Sequence, residues 1–456
     1  MVENMIKKVL IISHDKVGKL MAGPGIRYHY MAKTLAKNFD VTVGFFGPEN
    51  VPEIDFVKNY AAKHIDVHNF QKDFEPYDTV IAMWLSDAQI DYCNTRGKIV
   101  IFDIYAPAPV ENLAIKVFSG RPITDSDEFQ IMSQVHDYQK FLAAGDAFLY
   151  SNQRQLDYWI GFAFGANLVS PRTYEKRDVL KQFISAPFGI DTSVPLIKTK
   201  NHYRGIVEGI DEDDVVMVWS GGIYNWYDGI TLVEAMKLVW EKNPKIKMLF
   251  PGTQHPTPSM SKWQETLDTI ARAKELNLTG KNVFFFDTWI PYNDRLDFLL
   301  EANIGIYTHK PSIETEFSHR TRVVDSHIFA ELPTIATEGD FFADLVERKE
   351  LGVTVPAYDA VALAEAIVET SRPENLSRFH ANMAKIKPSF DWSQTLAPLV
   401  EYLESSPSKV DHIMPLGEEY KPSKRTVRNA LKRIIPKPVK KAALKVMPTK
   451  IKEKLL

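Results

Sequence analysis

Short apolar runs alternate along the chain with longer stretches whose apolar residues recur every three or four positions. The first pattern suits strands buried on both faces and the second suits helices that cover them, so their alternation predicts parallel sheets. In the first half, strands are expected at Val9–Ser13, Val41–Phe46, Thr79–Met83, Ile99–Asp103 and Ala147–Tyr150, with helices at Arg27–Lys37 and Asp127–Ala144 among those between them. A second series follows at Val215–Ser220, Lys247–Pro251, Val283–Asp287, Ile304–Tyr307, Thr334–Ala336 and Val353–Val355. Its helices are expected at Asp228–Glu241, Lys262–Glu275, Arg320–Ala330 and Ala360–Thr370. Two such series imply an α/β chain of two Rossmann-like, doubly wound domains, over residues 1–190 and 215–388. The stretch 191–214, which ends in Asp211, Glu212, Asp213 and Asp214, reads as the linker between them. Residues 389–420 read as a returning helix and connector, and 421–456 as a separate tail. Ligands of these folds sit at the carboxyl ends of the strands, so two facing sheets would bind in the cleft between them.

Composition narrows the class. A chain of 456 residues with 45% hydrophobic and 25% charged residues is a folded protein and not a disordered, collagen-like or disulfide-stapled one. The single cysteine, Cys93, rules out a disulfide within the chain and fits a reducing compartment. No apolar run approaches the roughly 18 residues of a membrane span, and the short run after Lys7 and Lys8 reads as a first strand and not a signal peptide. A cytoplasmic protein is expected. The net charge of −3 conceals an asymmetry, because residues 421–456 hold thirteen Lys or Arg against Glu453 alone. An acidic body with a basic tail points to an anionic partner for the tail.

Three stretches carry the candidate chemistry. After the first strand, Gly23-Pro-Gly-Ile-Arg27 opens a helix. Its glycines allow close backbone approach, its amides face an anion, and Arg27 offers a fork for phosphate, although a plain strand–helix turn has the same look. In the second domain, Gly221-Gly-Ile-Tyr-Asn-Trp226 follows a strand. Asn225 and Asp228 either meet a ligand or cap the helix, and Trp226 either stacks on a ligand or fills the core. The densest polar group is Glu314-Thr-Glu-Phe-Ser-His-Arg-Thr-Arg322 with Asp325, where Arg320 and Arg322 oppose the dipole of the helix they begin. A bound diphosphate would relieve that conflict, and a structural ion-pair cluster is the alternative. Asp103 ends a strand, the usual place for a site residue, and His136 lies within a helix. No Cys/His cluster has metal-ligand spacing, and the Asp-x-Asp pairs fall in hydrophilic connections.

These pieces resemble the retaining, GT-B-fold glycosyltransferases of the family-4 type, in particular a bacterial subgroup that assembles cell-surface polysaccharides. The matching segments run in family order over roughly residues 8 to 400: the loop ending at Arg27, Asp103-Ile-Tyr-Ala-Pro107, Ser151-Asn-Gln-Arg-Gln-Leu-Asp-Tyr-Trp-Ile-Gly161, Pro187-Phe-Gly-Ile-Asp191, Gly221 to Trp226, Trp289-Ile-Pro-Tyr-Asn-Asp-Arg295, Phe317 to Arg322, Leu332-Pro333 and Glu338-Gly-Asp340. The resemblance implies transfer of a sugar from a nucleotide-diphosphate donor to a glycan or lipid-linked acceptor, with retention and without an obligatory metal or other cofactor. The first domain would then be the acceptor side. The donor base would lie near Trp289 and Ile290, its diphosphate against Arg320, Arg322 and Gly222, with Gly23 and Gly25 closing over it. Phe317 and Ser318 belong to the same donor-binding segment, Asp325 would hold the ribose, and Glu314 or Glu316 would touch the donor sugar. Here eight residues separate Glu316 from Asp325, whereas the family's two acids are separated by seven. The mechanism expected is a front-face displacement in which the leaving diphosphate helps deprotonate the acceptor, with Asp103 and His136 orienting hydroxyls.

Ser423 opens a basic amphipathic segment in the tail, with Leu431 and Ile435 on one face and Arg425, Arg428 and Lys432 on the other. Such segments lie on anionic membrane surfaces, so a peripheral position on the inner face of the cell membrane is expected, with no nucleic-acid partner. A non-catalytic scaffold that binds through its tail and a sugar-nucleotide epimerase are the rival readings.

Overall fold

The computed structural model describes residues 7–47, 50, 52, 57–169, 171, 174, 179–254 and 261–410. The tail candidates Arg425, Arg428, Leu431, Lys432 and Ile435 lie outside the described residues.

Two parallel sheets organise the chain. The first comprises β1 (Lys8–Ser13), β2 (Asp40–Phe45), β3 (Ala61–His64), β4 (Thr79–Ala82), β5 (Ile99–Asp103), β6 (Ala147–Tyr150) and β7 (Phe183–Ser185). Its strand order is β3-β2-β1-β4-β5-β6-β7. The second comprises β8 (Val215–Val218), β9 (Ile246–Pro251), β10 (Val283–Phe286), β11 (Ile304–Tyr307), β12 (Thr334–Thr337) and β13 (Gly352–Val355), in the order β10-β9-β8-β11-β12-β13. In both sheets the order reverses beside the first strand, between β1 and β4 and between β8 and β11. That reversal opens a crevice at the carboxyl ends of the strands.

The apolar runs are explained by burial on both faces. Val9, Leu10, Ile11 and Ile12 of β1 are fully buried, and β1 pairs in parallel with β2 (Val9 opposite Val41) and β4 (Val9 opposite Thr79). The two strands absent from the sequence reading have physical reasons to be quiet. Edge strand β3 reads Ala-Ala-Lys-His and has no fully buried residue, and β7 is only three residues long. The helix expected at Arg320–Ala330 is present over 321–328, but over Val323–Ile328 it is wound as a π-helix, a wider winding often found at functional sites.

Residues 191–214 pack onto the second domain. Asp297 accepts from the amide and hydroxyl of Thr199 at 2.6 and 2.7 Å, and the Glu301 carboxylate accepts from the amides of His202, Tyr203 and Arg204. After the second domain the chain crosses back. Ile190 and Asp391 form an isolated bridge, and Trp392 stacks on Tyr30 of the first domain at 5.6 Å and 7°. Further on, Lys409 reaches Asp146 at 2.6 Å at the base of the first sheet.

Candidate active site

A cleft of about 450 Å³ lies between the carboxyl ends of the two sheets. Its first-domain wall includes Met21, Ala22, Gly23, Tyr105 and Glu111; its second-domain wall includes Gly222, Trp226, Trp289, Glu314, Arg322 and Asp325.

The two arginines two residues apart have different roles. Arg320 is buried and saturated: its Nη1 and Nη2 donate to both carboxylate oxygens of Glu314 at 2.7 and 2.9 Å, and its Nε donates to Asp340 at 3.2 Å. Burial pulls its pKa down, but the neighbouring charges, Glu314 first, outweigh that and hold it well above the ordinary value. Asp340 also caps helix 341–348 through the amide of Ala343 at 2.7 Å, so Arg320 is anchored to the scaffold and aims Glu314 at the cleft. Among the described residues Arg322 has no carboxylate partner. Its Nη2 donates to the carbonyl of Gly222 at 2.8 Å, its guanidinium lies 4.2 Å from the centre of the Tyr227 ring, and its buried Nη1 has no hydrogen-bond partner. Burial lowers its pKa below the ordinary value, the mark of a cation lacking a counter-charge.

Opposite stands the amino end of helix 23–35, which has no side-chain cap and no acidic residue in its first turn. Met21, Ala22, Gly23 and Pro24 of this end line the cleft. An uncapped helix end facing an unpaired guanidinium makes a cleft suited to an anion. Gly221, at φ +90° in the loop after β8, lets the backbone turn beneath Arg322. Gly252, at φ +67°, has the Trp289 ring 3.2 Å from where a Cβ would stand, and Trp289 and Ile290 both line the cleft. Trp226 stacks on Tyr224 at 4.8 Å, and its indole N–H is buried without a partner. Asp325 pairs with Arg295, which also stacks 4.0 Å over Tyr292.

Of the residues singled out from the sequence, Gly23, Gly222, Trp226, Trp289, Ile290, Glu314, Ser318, Arg320, Arg322 and Asp325 meet in this cleft. Others do not. Arg27 and Asp103 are fully buried against each other in a bidentate pair through Nε and Nη2 at 2.7 and 2.8 Å, and neither lines the cleft, although Arg27 Nη1 is buried without a hydrogen-bond partner. Gly25 is required by packing, since a Cβ there would stand 2.0 Å from the carbonyl oxygen of Lys16. Asn225 bridges backbone, donating to the carbonyl of Ile115 at 3.2 Å and accepting from the amide of Glu265 at 3.3 Å; Asp228 caps helix 229–242. Phe317 packs on Tyr158 of the first domain. His136 is exposed on helix 125–144 and is not among the cleft residues. Glu316 is exposed and turned toward Arg154 at 3.3 Å, so between the two glutamates it is Glu314 that faces the cleft.

The motif Ser151 to Gln155 sits at the joint between the domains. Asn152 and Gln155 donate to the carbonyls of Ser318 and Phe317, and Arg154 reaches the carbonyl of Gly339 at 2.7 Å and Asp344 at 2.6 Å. Sequence reading missed Glu111 and His319 as cleft residues. Glu111 lies four residues beyond the end of the Asp103–Pro107 segment, in the first turn of helix 108–117. Burial, then the charge of Glu314, push its carboxyl up to about 7. His319 has neither ring nitrogen partnered, and burial, then the charge of Arg27, lower its pKa to about 3, so it is neutral at physiological pH.

Two Rossmann-like domains with a ligand cleft between them define the GT-B fold, and solved structures agree. Sucrose-phosphate synthase from Thermosynechococcus elongatus matches with a TM-score of 0.59 at 14% identity, over 88% of this chain and 100% of that one. Anabaena HepE in complex with UDP-glucose matches with 0.59 at 14%, over 87% and 99%. WaaG, a glycosyltransferase involved in lipopolysaccharide biosynthesis, matches with 0.56 at 15%, over 85% and 98%. At these identities the likeness is one of fold. No protein-family model and no curated protein sequence matches the chain.

Proposed function

We propose that this protein is a glycosyltransferase that moves a sugar from a nucleoside-diphosphate donor held on the second domain to an acceptor entering along the first. The observation that carries this reading is the unpaired Arg322 guanidinium, which shares its cleft with the uncapped end of helix 23–35. A diphosphate supplies the charge that both lack, and in transfer it is the leaving group on which negative charge develops. The neighbour HepE binds UDP-glucose in the same fold, which favours a nucleotide sugar as the anion. Trp289 and Ile290 would border the base, Asp325 the ribose, and Glu314 the donor sugar.

The finer features rest on the sequence motifs. Retention follows from the family-4 resemblance, as does a role in surface-polysaccharide assembly on a glycan or lipid-linked acceptor, with front-face displacement as its mechanism. Metal independence is supported by Arg322, which provides a fixed positive charge where a divalent ion would otherwise serve. Among the described residues the one acid cluster with ligand spacing, Asp211, Asp213 and Asp214, lies outside the cleft. A peripheral site on an anionic membrane is supported by the composition of residues 421–456, and among the described residues no helix is long and apolar enough to cross a membrane.

Nucleotide-sugar epimerases share the fold, so fold alone does not choose the reaction. The test is a thermal-shift panel of UDP, GDP and their sugar esters, with and without Mg²⁺, followed by product analysis with acceptor. A metal-independent upward shift for one base family, with sugar appearing on the acceptor, is expected. Interconversion of the sugar on its nucleotide in the absence of acceptor would make the protein an epimerase, and a flat panel on folded protein would favour the scaffold reading.

A further inference from the structure

Helix 125–144 of the first domain leaves large apolar side chains in water. Met132 is 68% exposed and Phe129 64%, and among the described residues no large hydrophobic side chain is more exposed than Met132. The two stand three residues apart on one side of the helix, in line with Asp125 and Glu128 in its first turn. Scattered exposed hydrophobics are ordinary, but a stripe of them marks a contact surface. Its acidic end is free as well. Asp127 is held by Arg121 and Lys116, whereas among the described residues the carboxylates of Asp125 and Glu128 have neither a hydrogen bond nor an ion pair. The helix dipole accounts for acids in a first turn but not for the apolar pair beside them.

We propose that this stripe is covered by the chain's own basic segment, residues 425–435, whenever that segment is not held by a membrane. Two observations choose the occupant. The first is where the described chain ends. Lys409 Nζ and the amide of Val410 both donate to the Asp146 carboxylate, at 2.6 and 2.9 Å, two residues beyond the end of the helix at Ala144. The tail therefore sets out from the carboxyl end of the helix it would cover. From Ala144 back to Asp125 is about 30 Å along the helix, and the fourteen residues 411–424 reach up to about 46 Å. A tether of this length holds the segment at roughly millimolar local concentration, so a weak contact stays closed.

The second observation is charge and spacing. Residues 421–456 hold thirteen Lys or Arg against Glu453 alone. Within them Arg428, Leu431 and Ile435 follow at intervals of three and four, the same intervals that separate Asp125, Glu128 and Met132. A base can then meet the two acids while Leu431 and Ile435 lie on Phe129 and Met132. Other occupants fit less well. An anionic bilayer would meet the two carboxylates as repulsion. A second copy would bring the same two acids, and Lys140, the one Lys or Arg of the helix, is already engaged by Asp87 and Asp137.

The apolar residues of the segment serve one surface at a time, so this contact and membrane binding by the tail compete. Helix 125–144 packs on helix 108–117, whose Glu111 lines the cleft. The contact thus stands on the side proposed for the acceptor and is released when the tail meets an anionic surface.

The test compares the full chain with its Leu431→Asp/Ile435→Asp variant in dilute solution without lipid, with thermal melting as the check on folding. Oxidation of Met132 by dilute hydrogen peroxide, followed by mass spectrometry, reports whether the stripe is covered. Carbodiimide, which joins carboxylates to amines directly, reports the neighbours of Asp125 and Glu128. Wild type is expected to oxidise Met132 at least about fivefold more slowly than the variant. It should also join Asp125 or Glu128 to Lys424 or Lys432 of the same chain, as read in a mixture of light and isotopically heavy protein, and vesicles of phosphatidylglycerol should abolish those cross-links. Equal oxidation rates in the two proteins overturn the proposal. So do cross-links found only between chains, which would assign the stripe to a dimer, and protection of Met132 that appears only with vesicles, which would assign it to the membrane.

Discussion

Arg320 and Arg322 provide a sharp test because they share chemistry and sequence context but not surroundings. Replacing Arg320 by Met leaves two buried carboxylates, Glu314 and Asp340, without their cation. Breaking a buried pair in this way costs about 3–5 kcal/mol, and at roughly 2–4 °C per kcal/mol for a domain of this size the melting temperature should fall by about 6–20 °C. Replacing Arg322 by Met removes a cation that has no counter-charge. What is lost is the bond to the Gly222 carbonyl, which can take water from the cleft, and the contact with Tyr227, worth about 0.5–2 kcal/mol. What is gained is relief from burying an unsatisfied guanidinium donor, about 1–3 kcal/mol. The two terms nearly cancel, so Arg322→Met should melt within a few degrees of wild type when free of ligand. It should bind the cognate nucleoside diphosphate about 30- to 1,000-fold more weakly, the 2–4 kcal/mol of a charge-assisted contact in a water-poor cleft. Calorimetric melting and titration of both variants provide the readings. An Arg322→Met protein that is as destabilised as Arg320→Met but keeps its nucleotide affinity would refute the assignment of Arg322 as an anion anchor.

The two glutamates of the same segment should separate in the same way: Glu316→Gln leaves turnover within about twofold because the side chain is exposed beside Arg154, while Glu314→Gln lowers it by roughly 10²–10³, with folding checked by circular dichroism. Gly25→Ala should destabilise by at least about 2 kcal/mol in thermal melts because its Cβ has no room against Lys16; Gly23→Ala, whose Cβ would meet only the Thr321 hydroxyl at 3.6 Å, should stay within about 0.5 kcal/mol. The raised carboxyl of Glu111 makes stability pH-dependent. With a folded pKa of about 7 above the ordinary 4.5, the native state holds the proton more tightly, so this contribution is fully present below about pH 4.5 and is lost as pH rises through about 7. Glu111→Gln should therefore gain in melting temperature over wild type between pH 5 and 8, by the equivalent of about 3 kcal/mol at the upper end, and a pH-independent difference would contradict the shift.

The sheets were legible because a parallel strand is buried on both faces and leaves a continuous apolar run, as in Val9 to Ile12 and Met248 to Phe250. The edge strand at Ala61–His64 leaves no such run. In the site, the segment Glu314 to Asp325 was legible as a polar cluster at a strand–helix junction, but its division of labour was not. Whether an arginine is bound by a neighbouring carboxylate or left without one depends on Asp340, fifteen positions after Asp325, and on where Glu314 and Glu316 point around a short helix. Arg27 and Asp103 look like two free site residues in sequence because nothing local reveals that they bind each other across 76 positions. Glu111 gave no signal, since a glutamate in a first helical turn is also what the helix dipole favours.

The return of the chain at Ile190 and Asp391 sets an order of assembly. The strands of the first domain are complete once Ser185 has been made, but Trp392, which covers Tyr30 and Phe188, belongs to a segment synthesised about 200 residues later. At about 5–20 residues per second this leaves the first domain unfinished for roughly 10–40 s, with an aromatic face of Tyr30 and Phe188 open to solvent or to a chaperone. The strands of the second domain are thus all synthesised before the first domain can be closed, and a chain stopped anywhere between Val215 and Asp391 would carry a complete set of first-domain strands with that face still uncovered.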